Sequence, residues 1–173
     1  QQNCGGIILV DEKTRVLSSP GYPKGYQGKL GCNYTFKAAQ SEESFVNIKF
    51  IDFDLEVTPG KCIYDSVSIF KRQEYILNAV EYTKVGTYCG RNNPGSARYK
   101  NAVLVEFKTD AHDHMKGFQI EYHIDKCGGW VKNSSVISSP QIVKNRDIYD
   151  YAGTLTCTWN ITAPRDKKIV IKF

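Results

Sequence analysis

Carboxylates are the residues of this chain whose types and spacing bear on chemistry. Asp52-Phe53-Asp54-Leu55-Glu56 is followed by Cys62-Ile63-Tyr64-Asp65, and Asp110 and Asp113 lie further on. Clustered carboxylates repel one another unless a cation or a proton sits between them. Ca²⁺ takes hard oxygen ligands from separate loops, so the pattern predicts a metal-organised surface. Alternation puts Asp54 on the opposite side from Phe53 and Leu55, and Asp52 and Asp54 are read as supporting or exposed groups. Acid pairs can also serve as general acid and base, and His112 and His114 flank Asp113. Against that, the chain has no GxSxG, no HExxH and no cysteine with a plausible base. His112-Asp113-His114 does not suit zinc, because neighbouring residues of a strand point to opposite faces and no further His/Cys cluster is evident. No enzyme is expected.

The elements that must hold these acids read as β-strands. Cys32, Tyr34 and Phe36 alternate with Asn33 and Thr35; Val46, Ile48 and Phe50 with Asn47 and Lys49; Val67 and Ile69 with Ser66 and Ser68. Later, Val103, Val105 and Phe107 alternate with Leu104, Glu106 and Lys108, and Phe118, Ile120 and Tyr122 with Gln119, Glu121 and His123. Each run has the period of a half-buried strand. Turn signals separate them at Pro20-Gly21-Tyr22-Pro23, Pro59-Gly60 and Asn93-Pro94-Gly95. No window carries a sustained helical stripe. An all-β, two-sheet antiparallel sandwich of jelly-roll type is expected.

Composition agrees with a folded domain. Hydrophobic residues make up 41% of the 173 and charged residues 24%, with a net charge of 23 − 18 = +5. The basic runs Lys71-Arg72 and Arg165-Asp166-Lys167-Lys168 are read as solvated loop positions and not as a nucleic-acid track. Six cysteines, at 4, 32, 62, 89, 127 and 157, form no CxxC pair, which disfavours zinc ribbons and thioredoxin-type sites. Secreted disulfides are the simplest account. Sequential pairing would close three loops of similar length, each adding roughly 3–4 kcal/mol by the chain-entropy estimate, but six cysteines allow about fifteen pairings. Three sequons, at Asn33, Asn133 and Asn160, agree with secretion. No apolar run approaches the ~20 residues of a membrane span. No leader-like segment opens the chain, so a mature or excised ectodomain piece is expected.

The chain repeats itself. Cys4-Gly5-Gly6, Ser18-Ser19-Pro20, Cys32-Asn33-Tyr34 and Val46-Asn47-Ile48-Lys49-Phe50 return as Cys127-Gly128-Gly129, Ser138-Ser139-Pro140, Cys157-Thr158-Trp159 and Ile169-Val170-Ile171-Lys172-Phe173. An offset of this size means two copies of one domain and not a solenoid. The first spans 4–124. The second, 127–173, holds only the opening part, and would lack most of its sheet partners.

These residues resemble the CUB domain, an extracellular β-sandwich module. The resemblance is carried by Cys4-Gly5-Gly6, Ser19-Pro20-Gly21-Tyr22-Pro23, Cys32-Asn33-Tyr34, Phe53-Asp54-Leu55-Glu56, Cys62-Ile63-Tyr64-Asp65, Tyr88-Cys89-Gly90, Val105-Glu106-Phe107-Lys108-Thr109-Asp110 and Gly117-Phe118-Gln119-Ile120-Glu121-Tyr122. It implies sequential disulfides, Cys4–Cys32, Cys62–Cys89 and Cys127–Cys157. It also implies a calcium site with Glu56, Asp65 and Asp110 as ligands, joined by the His112 backbone carbonyl and the Asp113 side chain and braced by Tyr26. The implied function is calcium-dependent protein binding outside the cell. A partner Lys or Arg would be captured at a surface formed by Tyr26, Glu56, Asp65, His112 and Asp113. Directly abutting units resemble multi-CUB endocytic receptors and receptor auxiliary subunits. The alternatives are the non-catalytic CUB region of an extracellular protease, or glycan or heparin binding through Lys71, Arg72, Arg91, Arg98 and Lys100.

Overall fold

Alternating runs bury one face each, and two such faces must meet to make a core. In the computed structural model that is how the first unit is built. The structure describes residues 4–39, 44–57, 59–74, 80–112, 114–125, 129–131 and 158–172. The chain divides into two compact units, Gln1–Asp125 and Lys126–Phe173.

The described residues of the first unit form nine strands: β1 (Gly6–Val10), β2 (Arg15–Ser18), β3 (Gly31–Ala38), β4 (Phe45–Asp54), β5 (Ser66–Glu74), β6 (Val80–Tyr88), β7 (Ser96–Lys100), β8 (Ala102–Lys108) and β9 (Gly117–Asp125). They form a five-stranded sheet in the order β1-β3-β8-β5-β6 and a four-stranded sheet in the order β2-β9-β4-β7. All neighbours run antiparallel except β1 and β3, which are parallel. This is the expected sandwich, and no helix occurs among the described residues.

The inward face of each strand carries the residues that the alternation named. Phe36, Val46, Ile48, Val67, Val103, Val105, Phe107, Phe118 and Ile120 are all buried. Aromatic rings bridge the sheets edge to face, with Phe107 and Phe118 centroids 5.1 Å apart and Tyr34 and Phe118 6.4 Å apart. Such pairs add a directional term to area burial and fix how the sheets interdigitate. Cys4 is bonded to Cys32, tying the start of β1 to β3, and Cys62 to Cys89, tying the β4–β5 loop to the end of β6. Cys127 and Cys157 lie outside the described residues.

One expectation needs correcting. Lys71 and Arg72 are not loop residues; they sit in β5, half-buried. Strand β5 is flanked by both β8 and β6, and long basic side chains tolerate that position by laying their stems along the sheet. Arg165 and Asp166 do sit in an exposed turn.

In the second unit, β10 (Gly129–Val131) pairs in parallel with β11 (Trp159–Ile161). Residues 162–172 form no strand and are exposed, Asn160 is exposed, and Asn133 lies outside the described residues.

Candidate metal centre

Two loops at one end of the sandwich supply the acids, the β4–β5 loop giving two and the β8–β9 loop one. Glu56 follows the last residue of β4 by two positions, Asp65 directly precedes β5, and Asp110 follows β8 by two positions. One oxygen from each lies within 4.8 Å of the others. Oxygens that ligate a single Ca²⁺ at about 2.3–2.6 Å are at most about 5 Å apart, so the three can meet one ion together. Without a cation, two ionised carboxylates about 5 Å apart repel by about 3 kcal/mol at an effective dielectric near 20. The donor set, three hard anionic oxygens, suits calcium better than zinc or copper.

Hydrogen bonds already fix the acids. Tyr26 Oη donates to Asp65 Oδ2 at 2.5 Å and accepts from the Glu56 backbone N–H at 3.2 Å. The Asp110 backbone N–H donates to Asp65 Oδ1 at 2.8 Å, and the His112 N–H donates to Asp110 Oδ1 at 2.7 Å. Each Asp65 oxygen thus spends one lone pair inside the protein and keeps another for a cation. The main chain pins the loops as well: Leu55 N–H donates to Gly90 O at 2.9 Å, and Gly90 N–H to Glu56 O at 3.0 Å.

Tyr26 is the centre of this brace. It is held by its own N–H on Met115 O at 3.2 Å, and its ring meets Phe107 edge to face at 5.2 Å and His114 at 5.9 Å. Burial, and then the Asp65 hydrogen bond, push its phenol well above the ordinary value, so it stays protonated and donating. The β2–β3 loop carrying it lies close against the Asp110 loop. A Cβ on Gly28 would fall 2.7 Å from Asp110 O, and Lys29 N–H donates to that oxygen at 2.5 Å. Glycine at 28 is what permits that approach.

Burial refines the expected surface. Asp65 is 0% and Tyr26 2% exposed, so both side chains lie beneath the surface. Asp110 is half-buried and His112 exposed. Asp113 lies outside the described residues. Around the acids, Val57, Ile63, Tyr64 and Met115 on the same loops are exposed apolar side chains.

A second polar cluster escaped sequence reasoning. Tyr22 Oη donates to Asp52 Oδ2 at 2.5 Å, Lys116 Nζ also reaches Asp52, and Lys116 lies 5.2 Å over the Tyr22 ring. These residues are far apart in sequence, and only the carboxylate of Asp52 hinted at a supporting role. Asp54 accepts from Arg91 Nε at 3.1 Å.

The five basic residues of the glycan-binding alternative do not converge. Lys71 and Arg72 are on β5 in one sheet, while Arg98 and Lys100 are on β7 in the other. Arg98 lies 5.0 Å over the Phe45 ring and 3.5 Å from Asp125, and Arg91 is engaged with Asp54.

Comparison with known proteins extends this picture. The CUB domain model matches residues 4–122. The Cubilin homolog of Drosophila melanogaster is 32% identical over 100% of this chain, which spans only 4% of that protein. The full extracellular region of zebrafish Gpr126/Adgrg6 superposes with a TM-score of 0.57 at 30% identity, covering 71% of this chain and 15% of that one. The MASP-1 CUB2 domain bound to Ca²⁺ does so with a TM-score of 0.54 at 25% identity, covering 69% of this chain and 99% of that one. No helix among the described residues is long and apolar enough to cross a membrane. The disulfides and these relatives place the chain outside the cell. With a nine-stranded sandwich, its disulfides and a family match along almost the whole first unit, the chain belongs to the CUB domain family.

Proposed function

We propose that the first unit is a calcium-ordered, non-catalytic docking module that captures a basic side chain of an extracellular protein partner. The observation that carries this reading is the convergence of Glu56, Asp65 and Asp110 within one ion's reach, on two loops braced by Tyr26 from a third. Calcium would cross-link those loops, with Glu56, Asp65 and Asp110 as side-chain ligands and the His112 carbonyl and Asp113 completing the set. Asp110 and Asp113 would then offer acceptors to a Lys or Arg, with His112 at the rim. The exposed Val57, Ile63, Tyr64 and Met115 supply an apolar surround of the kind found at interface cores. A partner pays little ordering cost at a surface built in advance. Hydrolytic work by the acids is disfavoured by burial, since Asp65 has no surface for a substrate to touch. The MASP-1 CUB2 structure bound to Ca²⁺ supports the choice of ion.

Calorimetric titration of calcium into the chain tests the site. One site with a Kd of about 10⁻⁴–10⁻³ M is expected, and Glu56→Ala should weaken it at least about tenfold. The same variant should lose partner capture in a pull-down from native membranes or fluid, as should wild type in chelator. Unchanged calcium affinity together with unchanged capture would sink the reading.

We also read 127–173 as the opening of a second CUB domain abutting the first, as in a multi-CUB receptor, co-receptor or auxiliary-subunit scaffold. Its support is register. Gly6 pairs with Tyr34 and Ile7 with Thr35 in the first unit; Gly129 pairs with Trp159 and Trp130 with Asn160 in the second. The repeat aligns those same residues. If limited proteolysis of a longer chain containing both copies released no second protected fragment beginning near 127, this reading would be wrong.

A further inference from the structure

Strand β1 is an edge. It pairs with β3 on one side and with nothing on the other among the described strands. On the outer face of that edge Ile7 is 73% and Leu9 64% exposed, while Val10 on the inner face is fully buried. A bare edge with two large apolar side chains invites pairing with another chain, and secreted proteins protect such edges in some way. The sequon Asn33-Tyr34-Thr35 lies on the neighbouring strand, on the same face. Parallel register sets Ile7 opposite Thr35 and Leu9 opposite Lys37. Asn33 is exposed and points to that outer side, because its neighbours Cys32 and Tyr34 are buried.

Two glycines keep the space around Asn33 clear. Gly31, two residues earlier on the same face, would meet nothing within 4 Å if it bore a Cβ. Gly5, beside Asn33 on the β1 side, could not bear one, since it would fall 2.6 Å from Asn33 O and 2.7 Å from Asn33 N. At Gly5 and Gly31, therefore, no side chain stands beside Asn33. On the other side β8 sets Glu106 opposite Asn33, in an ion pair with Lys108 at 2.8 Å. Polar on one side and open and apolar on the other, the surroundings of Asn33 direct anything attached to it across β1. One strand spacing across and two residues along place Ile7 about 8 Å from Asn33, within reach of the first two sugars of an N-linked glycan.

We propose that Asn33 carries an N-linked glycan whose first sugars lie over Ile7 and Leu9 and sheath the free edge of β1. The donor is a lipid-linked oligosaccharide diphosphate of the secretory pathway. Asn33 Nδ2 forms a bond to C1 of the first N-acetylglucosamine; the C1–O bond to phosphate breaks, with its electron pair leaving on the lipid diphosphate; and one amide proton is lost to base. The product is a neutral N-glycosyl amide. The C–H faces of the pyranose rings cover aliphatic surface while their hydroxyls face water. The edge is thereby closed to strand addition, and the loop end bearing Glu56, Asp65 and Asp110 stays open.

The test uses the whole chain secreted from a eukaryotic host. Peptide mass spectrometry reads occupancy at Asn33 separately from Asn133 and Asn160. Wild type and Thr35→Ser, which keeps the sequon, are expected to be occupied, and Thr35→Ala and Asn33→Gln to be bare. Hydrogen exchange at residues 6–10 should be about threefold or more slower in occupied than in bare protein. Binding of an apolar dye should rise on loss of the glycan, and Ile7→Ser with Leu9→Thr should abolish that rise. Should the bare variants fail to fold, enzymatic removal of the glycan from native wild type gives the same comparison. An unoccupied Asn33 in wild type overturns the proposal. So does an occupied Asn33 with the same β1 exchange and dye binding before and after glycan removal.

Discussion

The two units begin alike and then diverge. Both open with a strand pairing in parallel with a later strand that the repeat copies, β1 with β3 and β10 with β11, in the same register. Val46, Ile48 and Phe50 in the first unit lie in β4 and are buried; Ile169 and Ile171, their counterparts in the repeat, are exposed and in no strand. The two segments have nearly the same hydrophobic pattern, so the pattern is not what separates them. Strand β4 is held between β7 and β9, which come from far downstream, and among the described residues of the second unit nothing plays that part. A period-two run is thus a capacity to be a strand. It is realised only when distant segments supply both a hydrogen-bond ladder and a facing sheet.

The largest effect that can test this contrast is a matched pair of substitutions. Ile48 is 1% exposed and Ile171 57%. Ile48→Ala should cost about 2–5 kcal/mol, as for other aliphatic truncations in packed cores. Ile171→Ala should stay within about 0.5 kcal/mol, as for other open surface positions. Urea unfolding of both variants, monitored by tryptophan-independent far-UV signal, measures the difference. Equal costs would mean that the second segment is packed after all and would break the comparison.

How much of this was legible in the sequence follows the same logic. Strands β3, β4, β5, β8 and β9 showed in the alternation because each buries one face against the core. Strands β1, β2, β6 and β7 were not singled out. Strand β1 is a short run with consecutive apolar residues, and β6 is an edge strand whose Val80 and Tyr82 are exposed; an edge has less to bury and writes a weaker pattern. Glu56, Asp65, Asp110 and Tyr26 stood out by motif and meet at one end of the sandwich. Their bonds to one another did not stand out, nor did the burial that removes Tyr26 and Asp65 from the outer surface. Both depend on loops distant in sequence arriving at the same place. For the same reason nothing in local spacing joined Asp52 to Tyr22 and Lys116.

The next effect concerns a brace that the first unit has. Tyr26 Oη serves Asp65 and Glu56 at once from a buried position. Tyr26→Phe removes the hydroxyl and leaves a carboxylate oxygen and a backbone N–H with one partner fewer. About 1–3 kcal/mol of stability should go with it. Calcium affinity should fall by roughly tenfold, as when an outer partner of a metal ligand is removed. Thermal unfolding with and without calcium separates the two: a smaller calcium-induced rise in Tm in the variant than in wild type is the result expected. An equal rise would reduce Tyr26 to a core residue. Tyr151, its counterpart in the repeat, lies outside the described residues.

The smallest effect belongs to the other cluster described in the first unit. Asp52 sits at the β-bulge where β4 shifts register on β9, and there it ties Tyr22 of the β2–β3 loop to Lys116 at the foot of β9. The Lys116 ammonium, and then the Tyr22 hydroxyl, hold its carboxyl below the usual range, while Asp52 in turn raises Lys116. A carboxyl with a depressed folded pKa contributes stability that is complete above its unfolded value, about 3.9, and is lost as the pH falls through the folded one. A lysine with a raised pKa contributes stability that is complete below about 10.4 and is lost as the pH climbs past its folded value. The stability gap between wild type and Asp52→Asn should therefore form a plateau between about pH 5 and pH 9 and close on both sides. Both charged groups are partly open to solvent, so screening keeps the gap smaller than either preceding effect, and added salt should narrow it further. A gap that stays constant down to about pH 2 would mean that Asp52 is valued for its shape and hydrogen bonds and not for its charge. The staple would then be a packing feature of the bulge, and the electrostatic interest of the first unit would reduce to the carboxylate cluster at the loop end.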